Sequence, residues 1–183
     1  MTAPTAGETP APTTVPIPTS RGTFQARFSH LGLCALGFPS PDGSRTTGAP
    51  AEADPRPRLL AEELEAYLGG GLRGFSVPLD LSGTPFQLRV WQELQTIPYG
   101  EVRTYRDLAV ALGRPTAVRA VGAAVGANPV PILVPCHRVI GSDGRLVGFA
   151  AGLDWKRRLL AIEAGAGRGL TGAMAPPPFP IDR

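Results

Sequence analysis

The sequence predicts an α/β N-terminal domain, built from a small sheet and one helix, followed by a mostly α C-terminal domain with a helix-turn-helix. Three observations lead to this division. Apolar and polar residues alternate in the first half, as they do in half-buried strands. From residue 84 onward, apolar residues recur mainly at helical spacing. Many of the prolines lie near the two ends of the chain, outside these two regions. We therefore expect domains over residues 21–83 and 84–165.

The two ends differ in composition from the middle of the chain. Residues 1–20 hold five prolines and six threonines but one charged residue, and four more prolines fall in the last eight positions. Such segments bury too little apolar surface to offset the entropy lost on ordering. The sequence therefore predicts a disordered tail over 1–20 and a loose C-terminal tail over 166–183.

The predicted N-terminal domain contains a hairpin, a helix and an edge strand. Two alternating runs over 24–28 and 31–35 predict the hairpin. Leucines at helical spacing predict a helix over 58–68, which ends at the glycines 69–71. Residues 75–81 alternate again, and Pro78 favours an edge position because proline cannot donate to a ladder.

Three helices are predicted to open the C-terminal domain. Thr84 and Thr104 are suitable caps for the first two helices. Pro115 begins a third helix, over 115–127, after a turn of about three residues around Gly113. Two short helices joined so closely are typical of a helix-turn-helix. The third helix is rich in Ala and Gly, which suits either tight internal packing or close approach to nucleic acid.

The remaining elements are a hairpin and a closing helix. Two apolar runs flank residues 142–144, whose Ser-Asp-Gly sequence predicts a hairpin turn. Residues 154–163 predict an amphipathic helix, with Gly165 as its cap.

Composition restricts the class of protein. The net charge of +3 permits a polyanionic partner without requiring one, and 17 of the 18 basic residues are Arg. No run of 18 apolar residues and no secretory signal is present, so we expect no membrane span and a cytoplasmic location. Cys34, Cys136, His30 and His137 are too few and too scattered for a zinc site, so no metal is expected. We expect Cys34 in the core and His30 on the surface.

The polar trio Cys136–His137–Arg138 follows an apolar run bracketed by prolines. A thiol near imidazole and guanidinium has the surroundings of a cysteine nucleophile. Neighbouring residues in an extended chain point to opposite sides, so contact between Cys136 and His137 needs a turn or a bridging water. Glu163 on the closing helix is the candidate carboxylate to orient the imidazole. The alternative is a buried hydrophobic cysteine beside a solvent-facing histidine.

The sequence around this trio resembles the active-site segment of the O6-alkylguanine-DNA alkyltransferases. The resemblance is carried by ANPVPILVPCHRVIG and by GRLVGFAAGLDWKRRLLAIEAG. Upstream, VPLDLSGTPFQLRVWQEL, IPYGEVRTYRDLA and AVRAVGAAVGANP are similar to the same family. The match covers residues 77–165, whereas residues 22–76 agree only in layout.

The resemblance implies a suicide DNA-repair methyltransferase that needs no cofactor. Cys136 would accept the alkyl group from O6 of a flipped guanine, and O4-alkylthymine is expected as a second substrate. His137, through a water, would deprotonate the thiol, with Glu163 orienting His137. Asn128 would hold the active-site turn, and Tyr105 would donate to N3 of the leaving guanine.

The same resemblance implies how DNA is held. The helix over 115–127 would lie in the minor groove with Ala120 and Ala123 against the DNA. Arg119 would enter the base stack in place of the extruded nucleotide. The expected partner is double-stranded DNA containing O6-alkylguanine, bound by a monomer. The N-terminal half would be ribonuclease-H-like and the C-terminal half winged-helix-like.

The guanine pocket departs from the family pattern at one loop. The backbone carbonyls of Cys136 and Val139 would accept from the exocyclic amine of guanine. Phe149, Ala150 and Ala151 stand where relatives often carry Tyr and a small polar residue. The donor to O6 is therefore expected to be a backbone N–H, in a roomy pocket.

Three other functions are compatible with parts of the pattern. A non-catalytic damage binder shares the fold but lacks the acceptor cysteine. A regulator with a sensor thiol would show a sequence-specific footprint. A cysteine hydrolase would turn over repeatedly.

Overall fold

The computed structural model describes residues 11–40 and 54–167. Its elements follow in chain order: β1 (Thr13–Thr19), β2 (Gly22–Phe28), β3 (Leu33–Gly37), α1 (Arg56–Leu68), α2 (Pro85–Gln95), β4 (Arg103–Thr104), α3 (Tyr105–Ala111), α4 (Val118–Gly126), β5 (Val139–Ile140) and α5 (Leu153–Gly167). A short 3-10 turn over Cys136–Arg138 immediately precedes β5.

The first three strands form one antiparallel sheet in the order β1-β2-β3. The predicted hairpin is confirmed as β2 and β3. The predicted disorder of residues 1–20 is wrong for Thr13–Thr19, which form β1, whereas residues 1–10 lie outside the described residues. Val15 and Ile17 face the core, and the prolines between and after them are tolerated because β1 is an edge strand.

Helix α1 covers the sheet and continues the core. It packs against β1 and buries Leu60, Leu64 and Tyr67. The helix begins at Arg56, two residues before the predicted start, with proline in its first turn. Its apolar face and the inner face of the sheet share one hydrophobic core.

Residues 75–81 join the sheet at a single point. The predicted edge strand is wrong, because only Leu79 pairs with Leu33, in a parallel bridge. Pro78 accepts from the Leu33 N–H at 2.8 Å, and the Asp80 N–H donates to Leu33 at 3.0 Å. A Cβ on Gly32 would lie 2.5 Å from the Pro78 carbonyl oxygen, so this approach requires glycine.

Helices α2, α3 and α4 pack on one another in the second half. Thr84 and Thr104 form the predicted caps, each completing a reciprocal capping box with the residue three positions later. The indole N–H of Trp91 in α2 donates to the Ala124 carbonyl in α4 at 2.9 Å. Six residues, 112–117, separate α3 from α4, a longer turn than predicted, and α4 begins at Val118.

The end of the chain corrects two further predictions. The turn at 142–144 is present, and the Gly141 N–H donates to Arg145 at 2.9 Å. It does not join two hairpin strands, because β5 pairs in parallel with β4. Helix α5 continues through Gly165 to Gly167, so Gly165 is not its cap and the loose tail cannot begin at 166. Residues 168–183 lie outside the described residues.

The observed architecture is α/β, as predicted. Within the described ranges, no helix combines the length and apolar character needed to cross a bilayer. Hydrogen bonds join four segments of the fold: the end of α1, the turn after α2, the 3-10 turn and the second half of α5.

Candidate active site

Cys136 is held by a turn that the side chain of Asn128 organises. The Asn128 amide donates to the Val134 carbonyl at 2.8 Å and accepts from the Val130 N–H at 3.0 Å. Ile132, between these two contacts, has φ +77°, an unusual conformation for a β-branched residue. The turn therefore places the thiol at the start of the 3-10 turn, where only 7% of Cys136 is exposed.

The environment of Cys136 favours the protonated thiol at rest. Burial raises its pKa, although the hydrogen bond with Asn128 and the charge of Lys156 act in the opposite direction. Lys156 is itself buried and donates to the Val147 carbonyl at 2.8 Å. Burial lowers the Lys156 pKa to about 8, while the charge of Cys136 would raise it. A nucleophilic role thus requires a base.

His137 is the residue predicted to act as that base. The 3-10 turn removes the alternation of an extended strand, and His137 lies fully buried beside Glu163. Its Nε2 is 2.9 Å from Glu163 Oε1. Its Nδ1 is buried and has no hydrogen-bond partner among the described residues. Burial lowers the pKa of His137, against the raising effect of Glu163, so the ring is neutral and Nδ1 can accept a proton.

Glu163 is the centre of the buried polar network. Oε1 accepts from Tyr67 Oη at 2.5 Å and from Arg138 Nη2 at 2.9 Å. Oε2 accepts from the Gly100 N–H at 2.9 Å and from Arg138 Nε at 3.1 Å. Burial would raise the pKa of Glu163, but the hydrogen bonds from His137 and the other donors lower it to about 2. The carboxylate is therefore ionised and can orient and stabilise a charged imidazole.

The sequence pattern missed three members of this site. Arg138 was noted in the polar trio for its effect on the thiol, but its contact with Glu163 was not predicted; it is buried and also donates to the Ile97 carbonyl at 2.6 Å. Lys156 stood out only as the single lysine. Tyr67 gave no signal beyond helical periodicity, because its contact with Glu163 spans 96 positions.

A second group of predicted residues surrounds an open cavity. The cavity, of about 420 Å³, is lined by Tyr105, Arg119 and Gly122 together with neighbouring residues. Tyr105 Oη donates to the Val147 carbonyl at 3.5 Å, and burial, followed by the charge of Cys136, raises the Tyr105 pKa. The Tyr105 hydroxyl is therefore protonated and able to donate.

The outer face of α4 has the expected exposure. Arg119, Ala120 and Ala123 are exposed, whereas Val121 and Ala124 are buried. The helix thus presents one cation and small side chains to the surface. Their contact with DNA stays a prediction.

The residues of the predicted guanine pocket differ in their burial. Val139 is fully buried on β5. Phe149 is half-buried, with its ring 5.5 Å from that of Phe38. Ala150 is exposed and lines, with Asn128 and Pro131, a larger cavity of about 890 Å³. Their contacts with a base remain predictions.

Cys34, the other cysteine, lies away from this network. It is half-buried, so its predicted core position is wrong, and its Sγ lies 3.1 Å from the Arg27 carbonyl. His30 is exposed, as predicted. Among residues 11–40 and 54–167, no three His, Cys, Asp or Glu side chains gather as a metal site would require.

Comparisons with known proteins place this site in a family. The sequence model described as "6-O-methylguanine DNA methyltransferase, DNA binding domain" matches residues 85–165. A Mycobacterium tuberculosis protein solved in complex with DNA is 41% identical, with a TM-score of 0.69, over 82% of this chain and 92% of that one. The chain belongs to the O6-methylguanine-DNA methyltransferase family.

Other members of the family agree with this assignment. The methylated-DNA–protein-cysteine methyltransferase of Mycolicibacterium paratuberculosis is 56% identical over 110 residues, which are 58% of this chain and 67% of that protein. The O6-methylguanine-DNA methyltransferase of Pyrococcus kodakaraensis is 27% identical, with a TM-score of 0.50, over 82% of this chain and 97% of that one. The resemblance recognised in the sequence is confirmed.

Proposed function

We propose that this protein repairs DNA by transferring the alkyl group of O6-alkylguanine irreversibly to Cys136, once per molecule. One observation carries the proposal: in a chain of this family, the buried Cys136 is followed directly by His137, which pairs with Glu163 through Nε2, while its Nδ1 has no hydrogen-bond partner among the described residues. O4-alkylthymine is included as a second substrate on the strength of the resemblance alone.

The first step activates the thiol. The Cys136 proton passes through a water to His137 Nδ1, the one ring nitrogen not engaged by Glu163. The resulting imidazolium is stabilised by the carboxylate 2.9 Å from Nε2. Lys156, which lies close enough to affect the Cys136 pKa, adds a positive charge that favours the thiolate.

The second step transfers the alkyl group. The thiolate Sγ attacks the carbon bound to O6, so a C–S bond forms as the C–O bond breaks. The bonding electrons stay with guanine, and the developing charge is stabilised by the Tyr105 hydroxyl at N3. The proton first lost by the thiol returns to guanine by way of His137. The products are an S-alkyl Cys136 and unmodified guanine, so no cofactor is consumed.

The alkylated base must be extruded from the DNA duplex before it can react. An alkyl group inside a duplex cannot be reached, and extrusion costs roughly a few kcal/mol. We assign this task to α3 and α4 as a helix-turn-helix, with the small residues Ala120 and Ala123 against the minor groove. Arg119 projects from the exposed face of α4 beside the Tyr105 cavity, which suits insertion into the vacated stack.

The proposal includes the organisation and setting of the protein. We place a domain boundary near residue 84, where α2 begins, and assign a ribonuclease-H-like layout before it and a winged-helix-like layout after it. We further propose a monomer acting in the cytoplasm. An acceptor thiol needs a reducing compartment, and both cysteines are free.

Intact-protein mass spectrometry tests the function. After incubation with an excess of duplex DNA containing O6-methylguanine, we expect one added methyl per molecule, mapped to Cys136 by peptide sequencing. A burst that stops at one equivalent separates transfer from hydrolysis. DNA binding without a mass change would instead favour a damage binder or a regulator and would overturn the proposal.

A further inference from the structure

Tyr67 connects the N-terminal half of the chain to the buried network. It lies at the end of α1 and is fully buried, with its ring against those of Phe75 and Tyr99 at 5.3 and 5.8 Å. Its hydroxyl lies 2.5 Å from Glu163 Oε1 and 3.1 Å from His137 Nε2. The hydroxyl therefore touches both members of the pair that would deprotonate Cys136.

The direction of each hydrogen bond follows from the chemistry of the groups. An ionised carboxylate can only accept, so the Tyr67 proton is directed to Glu163. Tyr67 then presents a lone pair to His137 Nε2, as does Glu163. Two acceptors facing one ring nitrogen require that nitrogen to carry the proton. The proton sits on Nε2, and Nδ1 is free to accept.

Tyr67 also competes with His137 for the carboxylate. Oε1 accepts from Tyr67, His137 and Arg138, and each donor reduces the negative charge available to the others. The remaining charges that act on His137 are Arg138, its chain neighbour, and Lys156 on α5. The Tyr67 bond is the shortest of the four hydrogen bonds at Oε1, two of which come from Arg138, so its loss would strengthen the hold of Glu163 on the His137 proton.

We propose that Tyr67 is a positioning residue of the transfer reaction, which binds Glu163 Oε1 and so keeps His137 neutral and ready to accept a proton. The inference rests on the proposed function for its consequence in catalysis. Its structural part, the proton arrangement at His137, can be measured without any activity.

The test compares two Tyr→Phe variants of the full chain. Tyr67→Phe removes the hydroxyl in the network, whereas Tyr99→Phe removes a buried hydroxyl with no hydrogen-bond partner among the described residues. The chain has two histidines, and His30 is exposed, so 15N NMR of histidine-labelled protein resolves His137 against an internal reference. We expect the His137 titration midpoint to rise by about one pH unit in Tyr67→Phe and to stay unchanged in Tyr99→Phe.

Transfer kinetics supply the second measurement, with free O6-benzylguanine base as the probe. In Tyr67→Phe the acid limb of the pH–rate profile should shift to higher pH. Between the His137 midpoints of the wild type and the variant, transfer should therefore be up to about tenfold slower. At higher pH the rates should converge, whereas a packing defect would slow transfer at every pH. Tyr99→Phe should follow the wild-type profile.

The outcomes separate the two claims. A wild-type His137 midpoint in Tyr67→Phe, or a wild-type protein whose His137 carries its proton on Nδ1, would overturn the role of Tyr67. The second of these needs no variant, so a folding defect in Tyr67→Phe cannot hide it. Absence of transfer in the wild type, with the NMR result as expected, would refute the proposed function instead.

Discussion

Glu163→Gln tests whether the ionised carboxylate holds the site together. Glutamine has nearly the same shape, but it carries no charge and replaces one acceptor oxygen with an NH2 group that can only donate. The buried guanidinium of Arg138, 2.9 Å from Oε1, then loses its counter-charge. The side chain of Glu163 is fully buried, so water cannot substitute for the lost charge.

The magnitude follows from the pKa of Glu163. Although burial raises it, the hydrogen bonds from His137, Arg138 and Tyr67 lower it from 4.5 to about 2. That difference corresponds to about 3 kcal/mol of folding free energy at neutral pH. Breaking a buried ion pair by removing one partner costs a similar amount, about 3–5 kcal/mol. We therefore expect Glu163→Gln to lose about 3 kcal/mol at neutral pH.

The pH dependence has a definite sign. When the pKa of a carboxylate is lower in the folded than in the unfolded protein, the carboxylate contributes its full stabilisation of the fold at pH values above the unfolded-state pKa. This contribution is lost as the pH falls toward the folded-state pKa. The contribution of Glu163 should therefore be complete above pH 4.5 and decline toward about pH 2. The difference between wild type and Glu163→Gln should shrink over the same window.

Urea unfolding followed by the fluorescence of the two tryptophans, Trp91 and Trp155, measures both effects. Glu62→Gln is the control, because Glu62 is 61% exposed and pairs with Arg58 at the surface. Its loss should stay below about 1 kcal/mol. A Glu163→Gln loss below about 1 kcal/mol, or one that does not vary with pH, would refute a carboxylate-centred network.

Three further predictions concern the chemistry. Cys136→Ala should abolish alkyl transfer but retain DNA binding in a gel-shift assay, whereas Cys34→Ala should transfer normally; the reverse result would end the assignment. Arg119→Ala should slow single-turnover repair of duplex DNA far more than reaction with free O6-benzylguanine, which needs no extrusion; equal losses would refute insertion into the stack. Tyr105→Phe should slow transfer roughly tenfold to a hundredfold, as expected for one lost donor to a developing anion. A wild-type transfer rate for Tyr105→Phe would show that Tyr105 contributes only packing.

The elements fixed by short-range signals could be predicted from the sequence. Thr84 and Thr104 cap their helices as expected, because a capping box depends on residues three positions apart. The contact between His137 and Glu163 was also predicted, because Glu163 is a carboxylate on the closing helix; the roles of Cys136, His137 and Glu163 in catalysis stay predictions.

The failures come from tertiary context. Residues 13–19 have a composition typical of disorder, yet Val15 and Ile17 become ordered because β2 offers a partner and the edge position accepts proline. The strand expected over 75–81 reduces to one bridge, since Gly32 lets Pro78 approach the backbone at a single point. Tyr67 could not be assigned to the site, because helical periodicity reports that a residue is buried and not what it contacts.

The sequence separation within the buried network has a consequence for synthesis. Tyr67 and Glu163 are 96 positions apart, and Cys136 is added to the growing chain before Glu163. In a growing chain, or in one that has opened locally, His137 has no carboxylate and the thiol has no oriented base. In the proposed mechanism, alkyl transfer to Cys136 therefore requires that α5, which carries Glu163, has first packed beside the 3-10 turn.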